Sequence, residues 1–183
     1  MRYFVALDLP EPIRQGLLDA TSELRKWSSL RWTPLGSLHL TLRFLGELTE
    51  EEAGRVRAEL PQSMPRMKLR LDGLGSFPPR GALRVVWAGM GGDLETLSGL
   101  ASVCERGAVA AGLPPATRPF HPHVTLARVV SPRGTAPLGK AVAALSAAVR
   151  SDYFEPSGAT LFSSELTARG AVYTAVQTLP IES

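Results

Sequence analysis

One cysteine, Cys104, stands in 183 residues. A lone thiol forms no internal disulfide, and its solitude excludes the cysteine-rich zinc sites. No apolar run approaches the roughly 18–20 residues that a membrane span needs. The opening apolar stretch, residues 3–7, is too short for a signal peptide, and Asp8 follows it at once. These absences predict a cytoplasmic protein with no membrane partner. Lysine is scarce: Lys26, Lys68 and Lys140 are the only three among 20 cations. No Lys/Arg-rich tail or run occurs, so any contact with a polyanion must come from a folded site. The formal net charge of +3 and the pI of about 9.4 permit a nucleic-acid partner without establishing one. Base composition accounts for the arginine bias. The sharper alternative is planar, bidentate recognition of phosphate.

What is present is ordinary globular stock, with 44% hydrophobic and 20% charged residues. At this length one domain is expected, residues 1–183, large enough to bury a core without disulfides or metal. Residues 3–9 alternate and read as a strand. Residues 11–28 carry Ile13, Leu17, Leu18, Leu24 and Trp27 at helical spacing, with Pro12 in the first turn. A turn through Trp32 and Pro34 leads to a strand at 38–45. Thr49 and Glu52 form a capping box for a helix to about Leu60. Two strands follow, 67–74 and 83–88, joined by the loop 75–81. Asp93 is placed to cap a helix to about Ala111, which Pro114 and Pro115 end. A strand at 123–130, a helix at 141–150 and closing strands at 153–164 and 171–179 complete the chain. Many adjacent strands favour antiparallel pairing over a doubly wound parallel sheet.

Histidine is also sparse, and two of the three are in near-identical settings. His39-Leu40-Thr41-Leu42 and His123-Val124-Thr125-Leu126 lie 84 residues apart. Each follows a proline-containing turn and opens a predicted strand. On a strand, residues i and i+2 share a face about 6–7 Å apart. Each motif therefore sets an imidazole beside a hydroxyl, while Leu40 and Val124 point into the core. If the two strands meet across a cleft, two imidazoles and two hydroxyls converge on one volume. One imidazole could then act as general base and the other as general acid. The threonine hydroxyls could donate to non-bridging phosphate oxygens. The near-twofold arrangement suits in-line displacement at phosphorus. The repeat is symmetric, so spacing does not decide which histidine is acid and which is base.

At these residues the sequence resembles the RNA 2′,3′-cyclic phosphodiesterases, also called 2′-5′ RNA ligases, of the 2H phosphoesterase superfamily. The resemblance extends beyond the two motifs. It takes in the opening strand at 2–7, Arg31-Trp32-Thr33-Pro34 before the first motif, and the run from Pro119 to Arg128 around the second. The closing segments Ser164-Glu165-Leu166 and Gly170-Ala171-Val172-Tyr173 are similar too. The resemblance implies an α+β fold of two pseudo-symmetric lobes. Each is an antiparallel sheet with helices on its outer side, and the lobes flank a central cleft. It implies hydrolysis of a 2′,3′-cyclic phosphate RNA end to a 2′-phosphate, without metal or nucleotide cofactor; a monomer is expected. By motif position His39 matches the proton donor, His123 the proton acceptor, and Thr41 and Thr125 the phosphate-binding hydroxyls.

Further contacts are less sharply marked. Strand parity puts Arg43 on the face of His39 and Thr41, whereas the family pattern favours Arg128. His121 occupies a position often held by arginine in relatives, and it shares a face with His123. Phe44, Tyr173, Trp32 and Phe120 are candidates to stack on a base. Two rival functions are carried. One is a metal-dependent phosphohydrolase using His39, His121 and His123. The other is a non-catalytic module that binds RNA ends. Ligation driven by a nucleotide has no motif, since Gly134 to Lys140 is one residue short of a P-loop and Ala141 replaces its hydroxyl. Any joining would be the reverse of the phosphoryl chemistry. The Gly89-Met90-Gly91-Gly92 run is a weaker candidate for anion binding.

Overall fold

The computed structural model describes residues 1–79, 81–131, 135–167 and 170–182. Eight strands form one open antiparallel sheet: β1 (Arg2–Asp8), β2 (Leu30–Trp32), β3 (His39–Glu47), β4 (Leu69–Phe77), β5 (Val85–Gly92), β6 (His123–Val129), β7 (Gly158–Thr167) and β8 (Gly170–Pro180). Their order is β4-β5-β6-β3-β1-β7-β8, with β2 alongside β6. The helices are α1 (Glu11–Ala20), α2 (Glu50–Glu59), α3 (Leu94–Ala110) and α4 (Ala136–Leu145).

The sheet falls into two halves. One contains β3, β1, β7 and β8, and the other β6, β5, β4 and β2. They join at a single rung, where Leu40 of β3 pairs with Val124 of β6. This is the expected two-lobed α+β architecture, with the seam of the sheet forming the floor between the lobes.

The two faces of the sheet differ as the period-2 pattern requires. Val5, Leu7, Leu40, Leu42, Val86, Ala88, Val124 and Ala127 pack with Leu97, Leu100, Ala101 and Cys104 of α3 into one continuous core. Burial pushes the Cys104 thiol up to about 12. An alkylating reagent such as iodoacetamide is therefore expected to label Cys104 only after denaturation, which mass spectrometry with and without guanidinium checks.

Several element boundaries differ from the sequence reading. α1 stops at Ala20, because the Thr21 hydroxyl donates to the Leu17 carbonyl and a 3-10 turn takes over. α3 is ended by Gly112 at φ 95°, with Leu113 and Gly112 amides returning to Ala108 and Val109, before either proline. α4 starts at Ala136, five residues earlier than the alanine-rich run suggests, since Pro137 suits a first turn. β4 runs into the expected loop as far as Phe77, whereas β5 starts later than expected, at Val85, and continues to Gly92; β2 is too short to show a periodicity. The capping box at Thr49 is present in both directions. Thr49→Ala is expected to lower stability by about 1 kcal/mol, read from the denaturant midpoint.

The described parts of two glycine-rich runs have structural roles. Gly134 lies outside the described residues. Next to it, Thr135 is buried and its hydroxyl accepts the Leu83 amide hydrogen, which pins the start of α4. In the Gly89–Gly92 run, a side chain at Gly89 would meet the Asp72 carbonyl 2.6 Å away. These glycines allow β4 to approach β5 closely.

Candidate active site

The two His-x-Thr motifs straddle the seam. Leu40 faces Val124 in an antiparallel pair. On either side of that rung stand His39 and Thr41 of β3, and His123 and Thr125 of β6. Leu40 and Val124 are fully buried, so the four polar groups occupy the other face, away from the helices.

Each imidazole is held in the same way. His39 Nδ1 lies 2.7 Å from the Ser37 carbonyl oxygen, and His123 Nδ1 lies 2.7 Å from that of His121. A carbonyl only accepts, so Nδ1 carries hydrogen in both rings. In the neutral form Nε2 is then the free base, turned to the open side. Burial is the main cause that holds both histidines below the ordinary imidazole value.

Aromatic rings back both imidazoles. Phe4 of β1 stacks on His39 at 4.8 Å between centroids, and Tyr173 of β8 meets it edge-on at 5.5 Å. On the other side Phe77 lies edge-on to His123 at 5.2 Å, and Trp87 at 6.1 Å. His121 leans on Trp87 at 4.9 Å and stands 5.9 Å from His123. Phe4, Phe77 and Trp87 were not among the sequence candidates. They lie far from both motifs in the chain, and only the strand order brings them beneath the rings. Tyr173 is raised by burial and so keeps its phenolic hydrogen.

The two arginine candidates are separated by a pair of β-bulges. Ala6 pairs with Thr41 and Val5 with Arg43, so Leu42 is an extra residue in β3. Trp87 pairs with Thr125 and Val86 with Ala127, so Leu126 is extra in β6. The bulges fall at the same position of both motifs, and each reverses the alternation beyond it. Arg43 is thereby turned to the helix side, contrary to simple parity. There it is only 13% exposed, pairs with Glu105 of α3, and donates to the Pro114 carbonyl at 2.8 Å. Arg128 is turned to the open face, and its charge is felt by both His123 and Tyr173. Phe44, the counterpart of Arg128 in the first motif, pairs with Phe4 and is 56% exposed on that same face.

Trp32 and Phe120 pack against the core instead of the open face. Among the described residues no three His, Cys, Asp or Glu side chains gather as a metal-ligand group, so His39, His121 and His123 do not form one. Among those residues too, no helix is long and apolar enough to cross a membrane.

Comparison with known proteins bears on this constellation. The family model for LigT-like phosphoesterases matches the chain twice, over residues 7–87 and 93–173, one match for each motif. The chain belongs to the LigT-like phosphoesterases. It is 35% identical to the RNA 2′,3′-cyclic phosphodiesterase of Thermus thermophilus over 184 aligned positions, covering 97% of this chain and 88% of that one. It is 36% identical to the protein of the same name in Escherichia coli, covering 74% of this chain and 76% of that one. Among solved structures, TT0787 of Thermus thermophilus superposes with a TM-score of 0.80 at 31% identity, covering 98% of this chain and 97% of that one. E. coli LigT complexed with 3′-AMP superposes with a TM-score of 0.79 at 29% identity, covering 100% and 98%. The phosphoesterase fold and its internal duplication are thus shared along the whole chain.

Proposed function

We propose that this phosphoesterase hydrolyses RNA 2′,3′-cyclic phosphate ends to 2′-phosphomonoesters by two-histidine general acid–base catalysis. The observation that carries the reading is the seam: two imidazoles, each with Nδ1 anchored on a carbonyl, and two threonines flank the one rung that joins the halves. The names of the relatives support the substrate class. In this scheme Thr41 and Thr125 donate to the non-bridging oxygens. His123 Nε2 takes a proton as water attacks phosphorus, the bond from phosphorus to the 3′ oxygen breaks, and His39 Nε2 delivers a proton to that oxygen. No residue needs to change its covalent state, and the reverse reaction would join ends through a 2′-5′ linkage. We read the chain as one bilobal cytoplasmic domain acting as a monomer.

The surroundings of the two rings differ, which supports the choice of donor and acceptor. After burial and the Ser37 contact, His39 feels the Asp8 carboxylate, which favours its charged form. Asp8 pairs directly with His39 across β1 and β3. His123 feels the imidazole of His121 and the guanidinium of Arg128, which favour its neutral form. A donor beside a carboxylate and an acceptor beside a guanidinium are suited to their roles.

The sign of the pH dependence follows. With both rings held below about 6.5, the free enzyme keeps both neutral at pH 7. The singly protonated pair appears only as pH falls. The kcat/KM profile is therefore expected to be a bell centred on the acid side of 6.5, with limbs that belong to the coupled pair. A bound phosphodiester anion raises both rings, so the kcat profile should sit at higher pH. Asp8→Asn is expected to move the kcat/KM bell further to acid. A rate profile flat from pH 5 to 8 would sink the scheme.

The deciding experiment is product analysis of a cyclic-phosphate oligonucleotide with and without chelator. A 2′-phosphate formed at the same rate in both conditions is expected. A chelator-sensitive, metal-restored rate would favour the metal-dependent reading, and binding without turnover the RNA-end-binding module.

A further inference from the structure

Arg43, turned to the helix side by its bulge, is engaged there through all three guanidinium nitrogens. Nη1 donates to the Phe44 carbonyl at 2.6 Å, Nη2 donates to the Pro114 carbonyl at 2.8 Å, and Nε faces Glu105 Oε2. That Nε and that Oε2 are both out of reach of solvent. The other oxygen of Glu105, Oε1, accepts the Ala116 amide hydrogen at 2.7 Å. One knot thus joins β3, α3 and the segment that follows α3. A buried ion pair is seldom more stabilising than two apolar groups of its size. What it adds is direction, because a planar fork of donors fixes where its acceptors stand.

The segment so fixed delivers the second motif. It runs from Pro114 to Pro122 and also holds Pro115 and Pro119. A proline has no amide hydrogen to give to a ladder, and β6 pairs with β5 only from His123 onward. Among the described residues, the knot supplies the backbone hydrogen bonds that tie this segment to other elements. Phe120 packs against the core farther along. His121, near the end of the segment, offers the carbonyl that holds His123 Nδ1. The two halves of the sheet share a single rung. The knot is therefore a second tie, from the strand of the first motif to the approach of the second. It runs one way, since Ala127, the counterpart of Arg43 in β6, has no polar side chain.

We propose that Arg43 and Glu105 are positioning residues, which set the His123 ring against the His39 ring by fixing the path of residues 114–122. The proposal rests on the two-histidine reading and extends it to two groups that touch no substrate. The test reads the imidazoles directly, by heteronuclear NMR of the full chain without substrate at about pH 8, where both rings are neutral. In the wild type each is expected as the single tautomer with hydrogen on Nδ1. Arg43→Met combined with Glu105→Leu exchanges the ion pair for apolar groups and should melt within a few degrees of wild type. In that double variant His39 should keep its tautomer, and His123 should average between the two. Ala116→Pro removes only the amide hydrogen that Glu105 accepts, at an exposed position, and should loosen His123 in the same sense. It decides the question alone if the double variant does not fold. With a cyclic-phosphate dinucleotide, kcat is expected to fall about tenfold or more while KM stays within about threefold, because misplacing a reacting group costs rate more than binding. A His123 tautomer unchanged in Ala116→Pro and in the folded double variant would overturn the proposal. So would a lower melting temperature with both tautomers and kcat intact, the mark of a merely structural pair. The tautomers are read without turnover. A wild-type protein that forms no product, yet loses the His123 tautomer in the variants, would sink the hydrolytic reading and leave the positioning role standing.

Discussion

His39→Ala and His123→Ala are each expected to lower single-turnover hydrolysis of a cyclic-phosphate RNA at least about a hundredfold. Both rings lie on the open face, outside the apolar core, so the folded state should survive their loss. Circular dichroism and a melting temperature within a few degrees of wild type would confirm that. The two losses can be told apart chemically. A substrate whose 3′ bridging oxygen is replaced by sulfur releases a thiolate, which needs no proton to depart. Such a substrate should recover most of the rate in His39→Ala and little in His123→Ala. Recovery in His123→Ala alone would exchange the two roles. Turnover within threefold of wild type for either variant would end the acid–base assignment. Thr41→Ala and Thr125→Ala should cost less, on the order of a few kcal/mol of transition-state stabilisation each.

Gly92→Ala is expected to be among the most damaging single changes to stability, lowering it by about 2–5 kcal/mol. Two separate costs add. Gly92 has φ +100°, where a side chain is strained by roughly 1–2 kcal/mol. Its added Cβ would also press on the Lys68 carbonyl oxygen and lie 3.1 Å from the Leu69 Cα. Overpacking of that kind typically costs about 1–3 kcal/mol. The obstacle is backbone, and it is pinned. The Lys68 carbonyl accepts the Asp93 amide hydrogen at 3.0 Å, and the Lys68 amide donates to the Asp93 carboxylate at 2.8 Å. Neither neighbour can swing aside as a side-chain tip could. Urea titration monitored by tryptophan fluorescence reads the loss directly, and a midpoint equal to wild type would show that β4 and α3 yield here.

The quartet of His39, Thr41, His123 and Thr125, proposed above as catalytic, was legible in the sequence because alternation along a strand needs only local information. Two copies of one four-residue pattern, using two of three histidines, put an imidazole and a hydroxyl on each strand face without any coordinates. The arginines were not legible in the same way. A bulge inserts one residue and inverts everything after it, and nothing in Leu42 or Leu126 announces that insertion. Parity therefore favoured Arg43, which the bulge turns toward Glu105. Phe4 and Trp87 were hidden for a different reason. Their relation to the motifs depends on which strands neighbour one another, and that is fixed by packing across the whole chain. Asp93 shows a third limit: it does precede α3, yet its carboxylate accepts the Lys68 amide instead of a hydrogen from its own helix.

The bridge of one rung between Leu40 and Val124 has a mechanical consequence. Each lobe carries one imidazole, one threonine and its own aromatic support, and the lobes share almost no ladder. The separation of the two imidazoles therefore depends on how the lobes sit at the rung between Leu40 and Val124, two side chains buried on the opposite face. Evolution could retune the reach of the two imidazoles from beneath the floor, through residues that carry no polar group.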